Sequence, residues 1–446
     1  MGREQGRSPR LAQPPMRPSS ALWGLLQTLL QLALLGLAVG AACWPLNLMD
    51  RLQAQWLGRL PAFSGQGWTA PGLLLAASPL VVLPLLLGLQ ADRWHEGAGS
   101  GIPQTMACLE NSADAEGLMA PRPTLQRLAL WSAATLALMP LGREGPVVHV
   151  GAAVAHGLRR RWPGLLKDLQ VPDLLAIGAG AGLAGGFNTP LMGVVFMAEE
   201  LTHRFQLTVI LPALLVCSSA AAFSHLGGEP MFGLGLLSSP AFESDQLAWA
   251  LPVGVLGGLL GAGFSRLLLE TSRLLLPHLR RRPLRLGLLL GGLLAALALL
   301  SGGSSGGDGE TLMSQLIEAA GEPFTPLGWM GLLLARLVGP VLALGGGIPG
   351  GLIDPAFSLG AVFGDGLLRL FGADPHLGLA LGMAAGLAGA TQLPVMTIVF
   401  AVRLAGDQQL LPGLLLAATL GAYTGRLVLD QPIYHALAEL QRAPRR

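Results

Sequence analysis

The sequence predicts an all-α polytopic membrane protein, and three observations carry that prediction. Of its 446 residues, 52% are hydrophobic and only 12% are charged, with a mean hydropathy of +0.56. That charge content is about half the soluble-protein average. Several apolar stretches approach the ~20 residues a helix needs to cross a bilayer: Ala21–Cys43, Pro71–Leu89, Thr208–Phe223 and Leu286–Leu300. The third observation is an internal repeat. Ala181-Gly-Leu-Ala-Gly185, Pro190 and Val195-Phe196 recur 204 positions later as Ala385-Gly-Leu-Ala-Gly389, Pro394 and Val399-Phe400. Gly142, Pro146 and Gly151 have a partial echo 209 positions on, in Gly351, Pro355 and Gly360.

Taken in order, residues 1–20 are basic (Arg3, Arg7, Arg10, Arg17) and read as a cytoplasmic tail. The apolar run that follows is longer than the ~7–15 residues of a signal-peptide core, so it reads as a retained first span. A transmembrane domain is expected over 21–435, with one repeat at about 70–226, a second at about 248–427, and a short cytoplasmic tail at 436–446. Arginine clusters at 159–161, 280–282 and 442–446 belong to the cytoplasm by the positive-inside rule. Gly227–Gln246 and Gly302–Thr325 carry acids and no bases and read as loops. Cys43, Cys108 and Cys217 all lie in apolar or near-membrane sequence, and an odd count without metal spacing argues for small buried residues. The net charge of +2 and the lack of a basic-aromatic stripe give no sign of a nucleic-acid partner. Gly180-Ala-Gly182-Leu-Ala-Gly185 formally matches a dinucleotide fingerprint. Gly178, Gly182 and Gly186, four apart, make close helix packing the better account.

The chemistry concentrates at three Gly/Pro breaks: Gly99-Ser100-Gly101-Ile102-Pro103, Gly142-Arg143-Glu144-Gly145-Pro146 and Gly351-Leu352-Ile353-Asp354-Pro355. The second sets two charges between apolar runs, where each costs about 2.5–3.5 kcal/mol on insertion scales and is a functional hypothesis by default. Proline fits the first turn of a helix, where its missing N–H would be unpaired anyway. A helix start with bare amides holds an anion without a cationic side chain to trap it. Broken helices at matching positions of two halves point to a transport site at the repeat interface.

These motifs, in this order and spacing, resemble the CLC family of chloride channels and chloride/proton antiporters over nearly the whole chain. The resemblance implies two inverted repeats with many tilted and broken helices, a homodimer, and one anion pathway per subunit. It makes Ser100, with Gly101 and Ile102, the central anion-binding segment and assigns the amides of Leu352 and Ile353 to the same site. Tyr434 becomes the inner residue that closes the pathway. Glu144 becomes the gating glutamate, supported by Gly142, Gly145 and Pro146. Glu200, second in Glu199-Glu200, matches the internal proton-transfer glutamate of the coupled members. Arg127 is expected to be a buried base able to set a glutamate's charge state.

Some positions depart from the family. Ile353 stands for the usual phenylalanine, Arg403 for a common glutamate, and Asp354 introduces an acid beside the path. Ser100 resembles the chloride users rather than the nitrate- or fluoride-preferring members. The cytoplasmic nucleotide-binding pair of eukaryotic relatives is expected to be absent. The expected function is chloride/proton exchange across a bacterial inner membrane, with chloride, protons and the bilayer as partners and neither cofactor nor metal. A passive chloride channel of the same fold is the alternative. An enzyme is disfavoured, since no Ser/His pairing, His-Glu-x-x-His or Walker lysine is recognisable.

Overall fold

A computed structural model describes residues 18–225, 243–319 and 324–442, and no strand occurs among them. The first half comprises α1 (Pro18–Leu57), α2 (Pro61–Ser64), α3 (Ala70–Asp92), α4 (Ile102–Glu110), α5 (Ala115–Leu118), α6 (Pro121–Leu136), α7 (Glu144–Arg161), α8 (Val171–Phe187), α9 (Pro190–Phe196) and α10 (Leu207–His225). The second comprises α11 (Glu243–Arg281), α12 (Pro283–Leu300), α13 (Glu310–Glu318), α14 (Pro326–Gly345), α15 (Ile353–Leu370), α16 (Pro375–Thr391), α17 (Pro394–Ala405), α18 (Leu411–Gly425) and α19 (Ile433–Arg442).

Among the described residues six helices are long and apolar enough to cross a membrane: parts of α1, α10 and α11, and all of α3, α12 and α14. The four spans expected from hydropathy fall inside α1, α3, α10 and α12. The first span continues well past Cys43, through Pro45 to Leu57. One loop expectation is corrected: within Gly302–Thr325, residues Glu310–Glu318 form α13, because Leu312 and Met313 give it an apolar side to bury. Most of the other acidic segment, residues 227–242 of Gly227–Gln246, lies outside the described residues, and its last residues begin α11.

The centre is built from the repeat. Gly151 of α7 meets the backbone of Gly178 and Gly182 on α8, and Gly360 of α15 meets that of Gly382 and Gly386 on α16, in each case with no room for a Cβ. These residues correspond across the two halves, so the same small-residue packing is used twice. Lipid gives helices no hydrophobic reason to associate, and close backbone approach supplies dispersion contact in its place. Both α8 and α16 end on a left-handed residue, Asn188 (φ 48°) and Gln392 (φ 61°), followed by Pro190 and Pro394 opening the next helix. The short α4, of 9 residues, reaches about 14 Å at 1.5 Å per residue, under half the hydrocarbon thickness. Its start therefore lies inside the protein, where its bare amides are covered from lipid.

Candidate functional site

The three Gly/Pro breaks open α4, α7 and α15, as their prolines require. Gly142 and Gly351, 209 positions apart, pair with each other. The Gly142 N–H donates to the Gly351 carbonyl at 3.0 Å, and the Gly351 N–H donates back at 2.8 Å. A reciprocal antiparallel pair of equivalent residues is the contact expected where two related halves meet. The indole N–H of Trp131 donates to the Gly142 carbonyl at 3.1 Å and fixes the pair from one side.

Glu144 stands at the first position of α7 and is fully buried. Its carboxylate lies across the glycine pair: Oε1 accepts from the Asp354 amide at 2.5 Å, and a Cβ at Gly142 or Gly351 would collide with it. Oε2 has no hydrogen-bond partner. The carboxylate thus bridges from α7 to the amide start of α15, where a helix favours an anion. Any anion drawn to those amides competes with it.

Ser100 approaches from the opposite break. Gly145 packs against the Ser100 hydroxyl and carbonyl so closely that only glycine fits. The Ser100 Oγ is buried without a partner. Gly101 takes φ 113°, which only glycine adopts without strain. Its expected role as an amide ligand is corrected, because that N–H already donates to Gln104 Oε1 at 2.9 Å. Gly101 is the bend that lets α4 start, and Ser100 carries the available donor. Ile102 is the first residue of α4 and is fully buried. Leu352 caps α15 and Ile353 opens it, both buried, with the amide bound to Glu144 one residue later, on Asp354.

Arg127 is buried, and its contacts correct the expectation that it would set the charge of Glu200. Its guanidinium donates to the carbonyls of Glu96 (3.3 Å), Ala98 (3.1 Å) and Gly99 (3.2 Å), and lies 2.8 Å from Nε2 of His149. Arg127 therefore clamps the segment that delivers Ser100. An Arg donates and never accepts, so His149 Nε2 is the acceptor and the ring carries its proton on Nδ1. His149 was not legible as a site residue from sequence.

Tyr434 is fully buried with its hydroxyl unpartnered, and its ring meets Phe196 edge-on at 6.4 Å between centroids. α19 packs on α4, the helix opened by the Ser100 break. Glu199 and Glu200 lie on a π-helical turn, Met197–Leu201, a distortion that often marks functional sites. It sends the two carboxylates to different places. Glu199 accepts from the Val395 and Met396 amides at 3.1 and 2.7 Å and caps α17. Glu200 is 1% exposed and lies near His435, with Oε1 3.8 Å from its Nε2.

A charged cluster that sequence reasoning missed surrounds the second break. Arg143 pairs with Asp50 at 2.7 Å, lies 3.9 Å from Glu310 and sits over the Phe187 ring. Arg336 is fully buried and donates to the carbonyls of Gly306 and Gly307 at 3.0 and 3.2 Å and to Ser358 Oγ at 2.8 Å. A lone charge inside the apolar stretch of α14 was the available signal. Asp354 is fully buried, and neither carboxylate oxygen has a hydrogen-bond partner. It therefore does not point away into solvent. Among the described residues no group of three or more His, Cys, Asp or Glu could hold a metal.

Comparison with known proteins adds to this geometry. A family model described as voltage gated chloride channel matches residues 81–426. The chain is 27% identical over 358 residues to the H(+)/Cl(-) exchange transporter ClcA of Vibrio parahaemolyticus, covering 77% of this chain and 74% of that one. It is 28% identical over 361 residues to its namesake from Yersinia pestis, covering 77% and 72%. Among solved structures it resembles a slow cyanobacterial Cl-/H+ antiporter with a TM-score of 0.77 at 23% identity, over 94% of this chain and 99% of that one. It also resembles a CLC-type fluoride/proton antiporter with a TM-score of 0.74 at 25% identity, over 93% and 98%.

Proposed function

This chain belongs to the voltage gated chloride channel family, and from that premise we propose that it exchanges chloride for protons across the membrane. One observation carries the reading: the Glu144 carboxylate lies across the Gly142–Gly351 pair and takes the Asp354 amide. One cradle cannot hold a carboxylate and a chloride together. When ionised, Glu144 occupies the helix-start amides; when protonated, it loses its attraction for them and chloride takes its place. Each entry of chloride is thereby tied to a proton on Glu144. A passive conductor needs no such competition, and the H(+)/Cl(-) exchange transporters to which this chain is similar are coupled by name.

In this reading the Ser100 hydroxyl and the amides of Leu352 and Ile353 hold chloride, and Tyr434 closes the inner end. Ser100 selects chloride over fluoride and nitrate. Glu200 loads protons on the inner side and passes them toward Glu144 by a route apart from the anion's, since amides that bind anions offer a proton no carrier. The chain works as a homodimer in a bacterial inner membrane, with repeats near 70–226 and 248–427. Chloride and proton flux recorded together in proteoliposomes tests the reading. Proton movement uphill against its gradient, driven by chloride, is the expected result; a chloride gradient that collapses with no proton movement overturns it.

A further inference from the structure

We propose that His435, backed by His203, is the proton exchanger between Glu200 and the cytoplasmic water. The proposal rests on the reading of Glu200 as the internal proton acceptor. Glu200 is 1% exposed and its Oε1 has no hydrogen-bond partner, so it needs a carrier to meet bulk water. The Nε2 of His435 stands 3.8 Å from that Oε1, and the His435 side chain is 35% exposed. One edge of the ring therefore faces the buried acid while another reaches solvent. Tyr434 and His435 are neighbours on α19, about 100° apart around the helix. That offset turns one toward the anion path and the other toward the proton acid.

The His203 ring stacks on His435 with centroids 5.7 Å apart and planes 21° apart. His203 is exposed, and its Nδ1 is 2.8 Å from the Glu199 carbonyl. A carbonyl has no proton to give, so Nδ1–H is the donor and Nε2 is left to exchange with water. An imidazole changes charge between pH 5 and 8, which suits it to carry protons to and from a carboxylate. The step conserves protons and charge: the His435 imidazolium gives its Nε2 proton to Glu200, an ion pair becomes a neutral pair, and the ring is reprotonated from water or His203. The gap of 3.8 Å exceeds a hydrogen bond and is closed by a small rotation or one water.

Besides Glu200, ionisable groups stand on α19 itself and on the elements around it. Glu199 is held at the α17 start. Glu110 ends α4, and Glu439 lies one turn further along α19. On α11, Arg266 donates to the Val428 carbonyl, and Glu270 pairs with Arg273.

The test compares His435→Gln, His435→Ala and a double variant in which His203 is also Ala, in proteoliposomes across pH 5.5–8. Glutamine keeps a polar side chain of similar reach and cannot titrate there. Proton flux relative to chloride flux should fall about tenfold in all three, with the pH dependence of proton flux flattened. Imidazole in the bath should restore proton flux in His435→Ala, and Glu200→Gln liposomes given the same imidazole provide the blank for what crosses the lipid. Persisting chloride flux shows that the variants are folded, and if the Ala variants lose it, His435→Gln decides. Wild-type proton flux and pH profile in His435→Gln, with Glu200→Gln still blocking protons, overturn the histidine exchanger alone. Undiminished proton flux in Glu200→Gln instead overturns the reading of Glu200.

Discussion

At the scale of single residues, two carboxylates and a hydroxyl divide the work by what surrounds their oxygens. Glu144 takes the Asp354 amide of the other half, so Glu144→Gln, a permanently neutral side chain, should release the cradle. Chloride flux is expected to persist and lose its dependence on pH, while proton flux disappears; simultaneous electrode recordings check both, and surviving proton movement would remove Glu144 from the gate. Asp354 contributes its amide to Glu144 and leaves a buried carboxyl without partners beside it. Two ionised carboxylates side by side oppose each other and any entering anion. Asp354→Ala keeps the amide and removes the charge, so chloride should bind about fivefold more tightly, roughly 1 kcal/mol, by calorimetry on purified protein. Unchanged affinity would mean that the Asp354 carboxyl is neutral when chloride binds. Ser100 offers the one side-chain hydroxyl on its break. Ser100→Pro removes that donor and should shift relative flux from chloride toward nitrate, measured by anion competition. An unshifted ratio would take selectivity away from Ser100.

At the scale of elements, helix starts are the working parts, and each is held by something distant in sequence. α4 begins where Arg127 grips three carbonyls and Gln104 takes the Gly101 amide. α17 begins on Glu199, whose two oxygens accept successive amides from the other half of the chain. Glu199 is thus a cap and Glu200 a buried acid, the proposed proton site, although they are neighbours of the same chemistry. Glu199→Gln weakens a charged cap worth about 0.5–2 kcal/mol. It should lower the melting temperature in detergent and leave the proton-to-chloride ratio unchanged, whereas Glu200→Gln should change the ratio. Loss of coupling in Glu199→Gln with unaltered melting would reverse these assignments.

At the scale of the whole molecule, the pseudo-symmetry of two halves makes one site out of two helix starts. Gly142 and Gly351 pair reciprocally, and Glu144 crosses from one half to the other at that seam. The site therefore requires both halves at once. Exposed leucines on α10 and α18, such as Leu211 and Leu415, leave apolar faces on the outside, which suits both lipid and a second subunit. Light scattering in detergent should give a protein mass of twice 46.2 kDa for the proposed homodimer; a mass of 46.2 kDa alone would end that expectation.

The sequence by itself determined the class, the four most apolar spans, the repeat and the three helix starts. Hydropathy, glycine spacing and proline are local signals, and a bilayer forces backbone groups to pair within helices. It also singled out Glu144 as a functional candidate, because a glutamate amid apolar residues is costly without a purpose. Only the tertiary structure decided which side chains and amides meet, some of them across more than 200 positions of chain. It separated Glu199 from Glu200, moved Arg127 from a proton site to the Ser100 segment, spent the Gly101 amide on Gln104, and set His435 beside Glu200. Such pairings depend on how helices rotate and stagger against one another. Periodicity gives a helix a buried side but not its partner, and a one-residue turn of α19, about 100°, would have put His435 where Tyr434 stands against Phe196.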